Sequence, residues 1–306
     1  MSERIDGAGL FEKGAQLRDH GGGAVWAEGP VWVPQLRAVR FSDIPNNRIL
    51  QWTQADDRIS VYAEDVEFTN GRTLGLSGEV VQCSHGHRRV EVDRGGEVSS
   101  LVERWDGHRF NSPNDVVVKS DGSVWFTDPS YGIKKAAEGH PGDLEYGDHW
   151  VFRFDPATAE VDPVVIDVEM PNGLAFSPDE SLLYVSDTAV ELPTGEPNPL
   201  GGHCIHVYDV QDGRRCKNGR IFKAIEPGLP DGFRVDEHGN VWTSALDGVH
   251  VYSPAGRRIG FLPTPAKVGN LCFGGDDGRT LFVLATTSLH SIRTTVRDAA
   301  HVVRIP

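Results

Sequence analysis

Six oxygen-bearing side chains recur along the 306-residue sequence at intervals of roughly 40 to 60 residues, each close to the start of a short β-rich run. We call them the anchors: Glu28, Asn70, Asn114, Asn172, Asp231 and Asn270. If Glu28, Asn114, Asn172 and Asp231 converge, they offer only carboxylate and amide oxygens, which are hard ligands. This set predicts one divalent cation, Ca²⁺ first and Mg²⁺ or Mn²⁺ as alternatives, with coordination positions left open for a substrate. Zn²⁺ is a further alternative that an all-oxygen set disfavours, because zinc prefers imidazole or thiolate ligands.

A purely structural role is the alternative for any single anchor. Asn and Asp beside Gly or Pro are common turn residues that hydrogen-bond their own backbone. That explanation does not account for an oxygen-bearing side chain at all six positions, or for glutamate, a poor turn residue, at the first.

The elements that must position these side chains are β-hairpins. After Asn114 the sequence predicts a strand at Val116–Val118, a turn at Ser120-Asp121-Gly122 and a second strand from Val124. The second strand ends at Asp128, about 14 residues after the anchor, and the same frame follows the other five anchors.

Further strand pairs between these hairpins bring each unit to four strands. Six such units predict an all-β fold, a six-bladed β-propeller with four-stranded antiparallel blades around a central channel, in a single domain over residues 1–306. The polar insertions Lys134–Gly147 and Glu191–Gly202 are expected as loops over one face, where they could form a lid. Either His301–Ile305 or a strand around Ala15–Leu17 is expected to close the ring.

Composition excludes several classes of function. The net charge of −14, without runs of like charge, argues against nucleic acid and anionic membranes as partners. The four cysteines form no CxxC pair, and Cys83 and Cys272 are expected to be buried thiols. No apolar run reaches membrane-spanning length, so a cytoplasmic protein is predicted. GxSxG, Walker A, HExxH and GxGxxG motifs are absent.

Three segments resemble the SMP-30/gluconolactonase-like β-propellers, a family of sugar lactonases and related organophosphate-hydrolysing propellers. The segments are NSPNDVVVKSDGSVWFTDPSYG from Asn111, MPNGLAFSPDESLLYVSD from Met170 and LPDGFRVDEHGNVW from Leu229. A fourth, CSHGHRRV from Cys83, is similar to the bacterial lactonase branch. The resemblance extends over nearly the whole chain.

The resemblance implies roles for four anchors. Glu28, Asn172 and Asp231 correspond to the family's metal ligands, Asn114 to a fourth ligand or substrate contact, and Asp231 to its general base. Vertebrate-type members have an arginine two residues before the position of Asn114, where this sequence has Ser112. The identity of the substrate therefore does not carry over.

Three other residues join Asn114 as predicted substrate contacts: Asn70, Asn111 and His85. His85 and His87 are expected on one face of a strand, although a structural role is the commoner one for such a pair. Asp43, Asp128 and Asp187 end equivalent strands and are expected to fasten loops through backbone N–H groups.

The predicted function is hydrolysis of a sugar aldonolactone such as gluconolactone, with the carbonyl polarised by the ion and Asp231 taking a proton from water. A phosphotriester hydrolase of the same fold and a non-enzymatic calcium-binding propeller are the alternatives. The expected partner is a small lactone, and the chain is expected to be a monomer or a homodimer.

Overall fold

Short antiparallel strands form six four-stranded sheets in a ring in the computed structural model, which describes residues 5–7, 9–190, 198 and 201–300. In the first five sheets the strands follow in chain order from the central channel outwards, and the innermost strands of successive sheets contact one another. The predicted six-bladed β-propeller is thereby confirmed.

The chain enters the fold through β1 (Arg18–Gly22) and then builds three blades. The first blade contains β2 (Ala27–Val33), β3 (Ala38–Asp43), β4 (Arg48–Thr53) and β5 (Arg58–Glu64). The second contains β6 (Thr69–Leu74), β7 (Val80–Ser84), β8 (Arg89–Arg94) and β9 (Glu97–Val102). A small hairpin follows, made of β10 (Arg104–Trp105) and β11 (His108–Arg109). The third blade contains β12 (Val116–Val118), β13 (Val124–Asp128), β14 (Trp150–Asp155) and β15 (Glu160–Val165).

Three further blades complete the ring. The fourth contains β16 (Pro171–Phe176), β17 (Leu182–Asp187), β18 (Cys204–Gln211) and β19 (Arg215–Ala224). The fifth contains β20 (Phe233–Val235), β21 (Val241–Ser244), β22 (Gly248–Tyr252) and β23 (Arg258–Pro263). The sixth contains β24 (Val268–Gly274), β25 (Thr280–Ala285), β26 (Ser288–Arg293) and, on its outer edge, β1. The described residues also contain the short helix α1 (Tyr131–Lys134) and two 3₁₀ turns, Pro34–Leu36 and Ile44–Asn46.

Aromatic side chains fill the wedges between neighbouring blades. Alternate residues of a strand point to opposite faces of its sheet, so each blade presents an apolar face to both neighbours. Trp125 of the third blade meets Phe176 of the fourth edge to face, with ring centroids 5.2 Å apart. Trp32 of the first blade stacks on Phe282 of the sixth at 5.6 Å. These contacts pack the blades against each other and leave the channel to the inner strands.

An N-terminal strand closes the ring, which was one of the two predicted alternatives. The strand is Arg18–Gly22, which follows the expected segment Ala15–Leu17, and it pairs antiparallel with β26. The other candidate, His301–Ile305, lies outside the described residues.

No helix of the described part of the chain is long and apolar enough to cross a membrane. All four cysteines are free, and Cys83 and Cys272 are buried as predicted.

The insertion Lys134–Gly147 is tied down over the second and third blades. The Arg88 guanidinium donates to Asp143 O (3.0 Å) in the loop and to Phe110 O (2.6 Å) beneath it. Tyr131–Lys134, the short helix α1, leads into the loop. The second predicted insertion, Glu191–Gly202, lies almost entirely outside the described residues.

Candidate active site at the channel mouth

The six anchors form one ring at a single mouth of the channel. Hydrogen bonds join neighbouring inner strands at this level, from Gly71 N to Asn114 O (2.8 Å), from Gly173 N to Asp231 O (3.1 Å) and from Gly232 N to Gly269 O (2.8 Å). The Thr127 hydroxyl spans the third and fourth blades by donating to Asn172 O at 2.7 Å. The structure therefore brings together Glu28, Asn70, Asn114, Asn172, Asp231 and Asn270.

In four blades the residue after the anchor is a glycine. Atoms of the next blade occupy the space that a side chain at this position would need. A Cβ on Gly71 would lie 2.5 Å from Asn114 O, and one on Gly173 would lie 2.5 Å from Asp231 O. Any larger residue would push the inner strands apart. These glycines set the small radius of the ring, which turn propensity alone does not reveal.

Glu28 is 5% exposed and is held through only one of its carboxylate oxygens. Its Oε2 accepts hydrogen bonds from Gly29 N (2.8 Å) and from Asn270 Nδ2 (3.0 Å). Its buried Oε1 has no hydrogen-bond donor among the described residues. Burial and the charge of Asp231 raise the pKa of Glu28 well above its usual range. Oε1 is therefore an open position for a positively charged group.

Asp231 faces the same space and is partly exposed. Burial raises the pKa of its carboxyl, the charge of Lys267 opposes that rise, and the charges of Glu138 and Asp115 add to it. Two neighbouring carboxyls that are costly to ionise fit a compensating hard cation. No cluster of three or more His, Cys, Asp or Glu side chains suited to a metal ion occurs within the described ranges, so such an ion would also need the amides.

The amide of Asn172 is oriented by a pair of hydroxyls. Asn172 Nδ2 donates to Thr188 Oγ1 at 3.4 Å, and Thr188 Oγ1 is 2.6 Å from the Tyr131 hydroxyl. With its nitrogen engaged on this side, the oxygen of Asn172 is left for a ligand. Thr188 and Tyr131 were not found by sequence reasoning, and nothing in their local sequence marks them.

Asn70 is oriented in a similar way by His85. Asn70 Nδ2 lies 3.2 Å from His85 Nε2, and His85 Nδ1 lies 2.9 Å from Glu138 O in the inserted loop. Burial lowers the pKa of His85, so the ring is neutral, with Nδ1 donating and Nε2 accepting. The prediction that His85 and His87 share a strand face was wrong, because both lie in the turn after β7. His85 is fully buried there, whereas the side chain of His87 is 44% exposed.

Asn111 uses its amide nitrogen inside the protein. The nitrogen donates to Asp128 O (3.0 Å), Tyr146 Oη (2.7 Å) and Asp148 O (2.9 Å). Asp128 in turn accepts from Asn111 N at 2.7 Å, which confirms the predicted loop-fastening role of that carboxylate. Asp43 and Asp187 accept backbone N–H groups in the same manner. A substrate contact by Asn111 stays a prediction.

A buried ion pair lies beneath the anchors. Asp115 Oδ2 is 3.6 Å from Arg234 Nη1, and burial raises the pKa of Asp115. Beyond this level the later residues of the inner strands, such as Val118 and Phe176, line a cavity of about 500 Å³ that opens at the other end of the channel. The Asp115–Arg234 pair forms the floor of the candidate site, and nothing in the local sequence marks either residue.

Three comparisons with known proteins bear on this arrangement. The sequence pattern of the SMP-30/Gluconolactonase/LRE-like region matches residues 26–287. A gluconolactonase of Zymomonas mobilis is 33% identical over 294 residues, which cover 88% of this chain and 78% of that protein. A pentonolactonase of Haloferax volcanii is 28% identical over 265 residues, 84% of this chain and 80% of that protein. The solved structure of a gluconolactonase from Xanthomonas campestris is 34% identical and covers 95% of each chain with a TM-score of 0.86.

Proposed function

Because the chain belongs to the SMP-30/gluconolactonase/LRE-like family, we propose that it hydrolyses a sugar lactone at the mouth formed by the six anchors. An aldonolactone such as gluconolactone is the substrate we favour, since two similar proteins are named a gluconolactonase and a pentonolactonase. The observation that carries the proposal is the buried Glu28 Oε1, which lacks a donor among the described residues and borders a ring of amides beside Asp231.

Four side chains would hold a divalent cation in this proposal: Glu28, Asp231, Asn172 and Asn114. The orphaned Oε1 of Glu28 and the all-oxygen donor set fit Ca²⁺ first. When bound, the cation would supply the positive charge that polarises a lactone carbonyl.

The protein's own groups do the remaining work. Asp231 is partly exposed and can take a proton from the attacking water, whose oxygen bonds to the carbonyl carbon. The ring C–O bond then breaks, its oxygen takes up a proton, and an open-chain hydroxy acid leaves. Asn114 and Asn172 orient the substrate, and Thr188 and Tyr131 keep the Asn172 amide turned towards it.

Acid release from aldonolactones in a pH-stat tests this function. We expect release that is lost with EDTA and restored by a divalent cation. Asp231→Asn should lower kcat by about 10²- to 10⁴-fold, the usual contribution of a general base. Asp56→Asn, an equivalent change on an exposed turn, should leave kcat unaltered. Near-wild-type turnover by Asp231→Asn would refute the assignment of the base.

Two other outcomes would point to the alternatives. Hydrolysis of phosphotriesters but of no lactone would indicate a phosphotriester hydrolase. Cation binding without hydrolysis of any lactone or triester would indicate a binding propeller.

A further inference from the structure

A lysine with no carboxylate partner stands at the rim of the candidate site. The Lys267 ammonium lies 4.7 Å from the centroid of the Trp26 ring, over its face. Within the described ranges no Asp or Glu oxygen is within ion-pair distance of this ammonium, and the side chain is only partly exposed. A cation–π contact holds an ammonium in place but does not cancel its charge.

Lys267 and Trp26 both border the anchors directly. Lys267 immediately precedes β24, which carries Asn270. A Cβ on Gly269 would lie 2.6 Å from Glu28 Oε1 and 3.3 Å from Trp26 Cζ2, so the indole edge and the open carboxylate oxygen flank the same backbone. The charge of Lys267 also reaches Asp231.

A single turn binds the backbone of Lys267 and that of Ala27, the residue after Trp26. Thr286 Oγ1 donates to Lys267 O at 3.0 Å, and Thr286 O accepts from Ala27 N at 2.8 Å. This turn joins the sixth blade to the first and holds Lys267 opposite Trp26. The pair is therefore a built feature of the mouth and not a surface side chain that happens to lie nearby.

The second lysine near the mouth differs in its partner. Lys135 Nζ lies 4.8 Å from the Tyr131 ring centroid, but it is also 3.1 Å from Glu138 Oε1. Its charge is therefore compensated within the protein. Lys267 has no such ion-pair partner among the described residues, although its charge also acts on Asp231.

We propose that Lys267, held by Trp26, binds an anionic substituent of the substrate, so that the lactone is an acidic sugar lactone bearing a phosphate, sulfonate or carboxylate. The proposal rests on the proposed function and deepens it. A chain with a net charge of −14 repels anions overall, so a selective site for one needs a dedicated cation. The charge of the ammonium reaches Asp231, the proposed base, so one small molecule can place its lactone at the anchors and its anionic substituent at Lys267.

Paired substrates test this specificity. At about pH 8 and low salt, the wild-type kcat/KM for a gluconolactone phosphorylated at carbon 6 should be about fivefold or more above that for unmodified gluconolactone. A single partly exposed charge pair contributes a factor of about this size. Lys267→Met should remove this preference, whereas Lys267→Arg should retain it. Any effect of the lost charge on Asp231 should change kcat/KM for both substrates by the same factor, so the ratio of the two values is the readout. A sulfonated and a carboxylated lactone distinguish which anion is preferred.

Binding of the product gives a readout that does not depend on turnover. Quenching of tryptophan fluorescence should show tighter binding of phosphorylated gluconate than of gluconate, and Lys267→Met should abolish the difference. Lys217→Met removes the same charge from the exposed outer strand β19 and should change neither readout.

The outcomes separate this inference from the proposed function. Hydrolysis of neutral lactones without any preference for anionic ones would overturn the role of Lys267 and leave the lactonase proposal standing. An equal loss on both substrates in Lys267→Met would also overturn it. Failure to hydrolyse any lactone would refute the proposed function, and equal binding of the two products would then refute the anion site as well.

Discussion

Ionisation of the Glu28 and Asp231 carboxyls at the channel mouth is disfavoured by their burial. Burial raises the pKa of both carboxyls, so the folded protein holds their protons more tightly than the unfolded chain does. In the cation-free protein, the stability linked to these protons is fully present below the carboxyls' unfolded pKa values. It is lost as the pH rises through their folded values.

A bound divalent cation should therefore stabilise the protein more at high pH than at low pH. Fewer protons compete with the cation for these carboxylates at about pH 8 than at about pH 5. We expect a Ca²⁺-induced rise in Tm that is clearly larger at the higher pH, measured by differential scanning fluorimetry. Glu28→Gln should reduce that rise at both pH values. An equal rise at both, or one that survives in Glu28→Gln, would contradict the assignment of these ligands.

The residues that could be predicted from the sequence are those that recur with the blades. An oxygen-bearing side chain at six equivalent positions identifies Glu28 and Asp231 without any coordinates. His85 could not be placed correctly, because its position in a turn depends on where β7 ends and its role depends on the carbonyl of Glu138, far along the chain. Asn111 looks like a ligand residue in sequence, yet its amide holds Tyr146 and two backbone carbonyls.

At the scale of elements, hydroxyls on the second strands fix the anchors of the following blades. Ser186 Oγ on β17 donates to Asp231 O at 2.9 Å, and Thr127 on β13 does the same for Asn172. Ser244 occupies the equivalent position on β21, but its buried hydroxyl has no partner among the described residues. The same residue type thus has a positioning contact in one blade and none in another.

This difference predicts a contrast between two serine-to-alanine variants. Ser186→Ala should cost about 1 kcal/mol of unfolding free energy, the usual net value of a buried hydrogen bond, and should lower kcat because Asp231 shifts. Ser244→Ala removes an unsatisfied hydroxyl and should leave stability unchanged or raise it by up to about 1 kcal/mol. Denaturant unfolding and lactone assays of both variants measure the contrast. Equal effects would mean that the Ser186 contact does not position the anchor.

Strands were predictable at this scale, and the inserted loop was not. The Asp-Gly turn after Val118 marks the hairpin of the third blade, and alternating apolar residues mark its strands. The loop 134–147 has no such period. Its path depends on single long-range contacts such as that of Arg88 with Asp143 O, which local sequence does not encode.

At the scale of the whole molecule, β1 joins the beginning of the chain to the last blade. Arg18 pairs with Ser291 and Asp19 with His290 on β26, so the sixth sheet contains both ends of the propeller. Without this strand, β26 would have an open edge. Repeats in the sequence predict that some terminal strand must close the ring, but not which residues do so. Arg18–Gly22 lacks an apolar pattern and is bound through its backbone, the Arg18 side chain and one histidine.

His20 is that histidine, and it links three parts of the ring. Its Nε2 lies 2.7 Å from Ser291 Oγ, its Nδ1 lies 2.9 Å from Asp57 Oδ1, and its ring packs 4.5 Å from that of Trp52. Burial lowers the pKa of His20 below its ordinary value of 6.5, although Asp57 opposes the shift. The neutral ring therefore contributes stability that is fully present above pH 6.5 and is lost as the pH falls through the lowered pKa.

His20→Ala should accordingly weaken closure of the ring in a pH-dependent way. We expect a loss of about 2 kcal/mol at neutral pH from the two hydrogen bonds and the lost packing, and a smaller loss at about pH 5, where wild type has already lost part of this contribution. Urea unfolding at both pH values measures it, and His108→Ala, on the exposed hairpin strand β11, is the matched control. If His20→Ala unfolds like wild type, or if His108→Ala loses as much, closure does not depend on this contact. A loss confined to His20→Ala, together with faster proteolysis before Ala27, would show that the first strand holds the six blades in one ring and so keeps Glu28 beside Asn270.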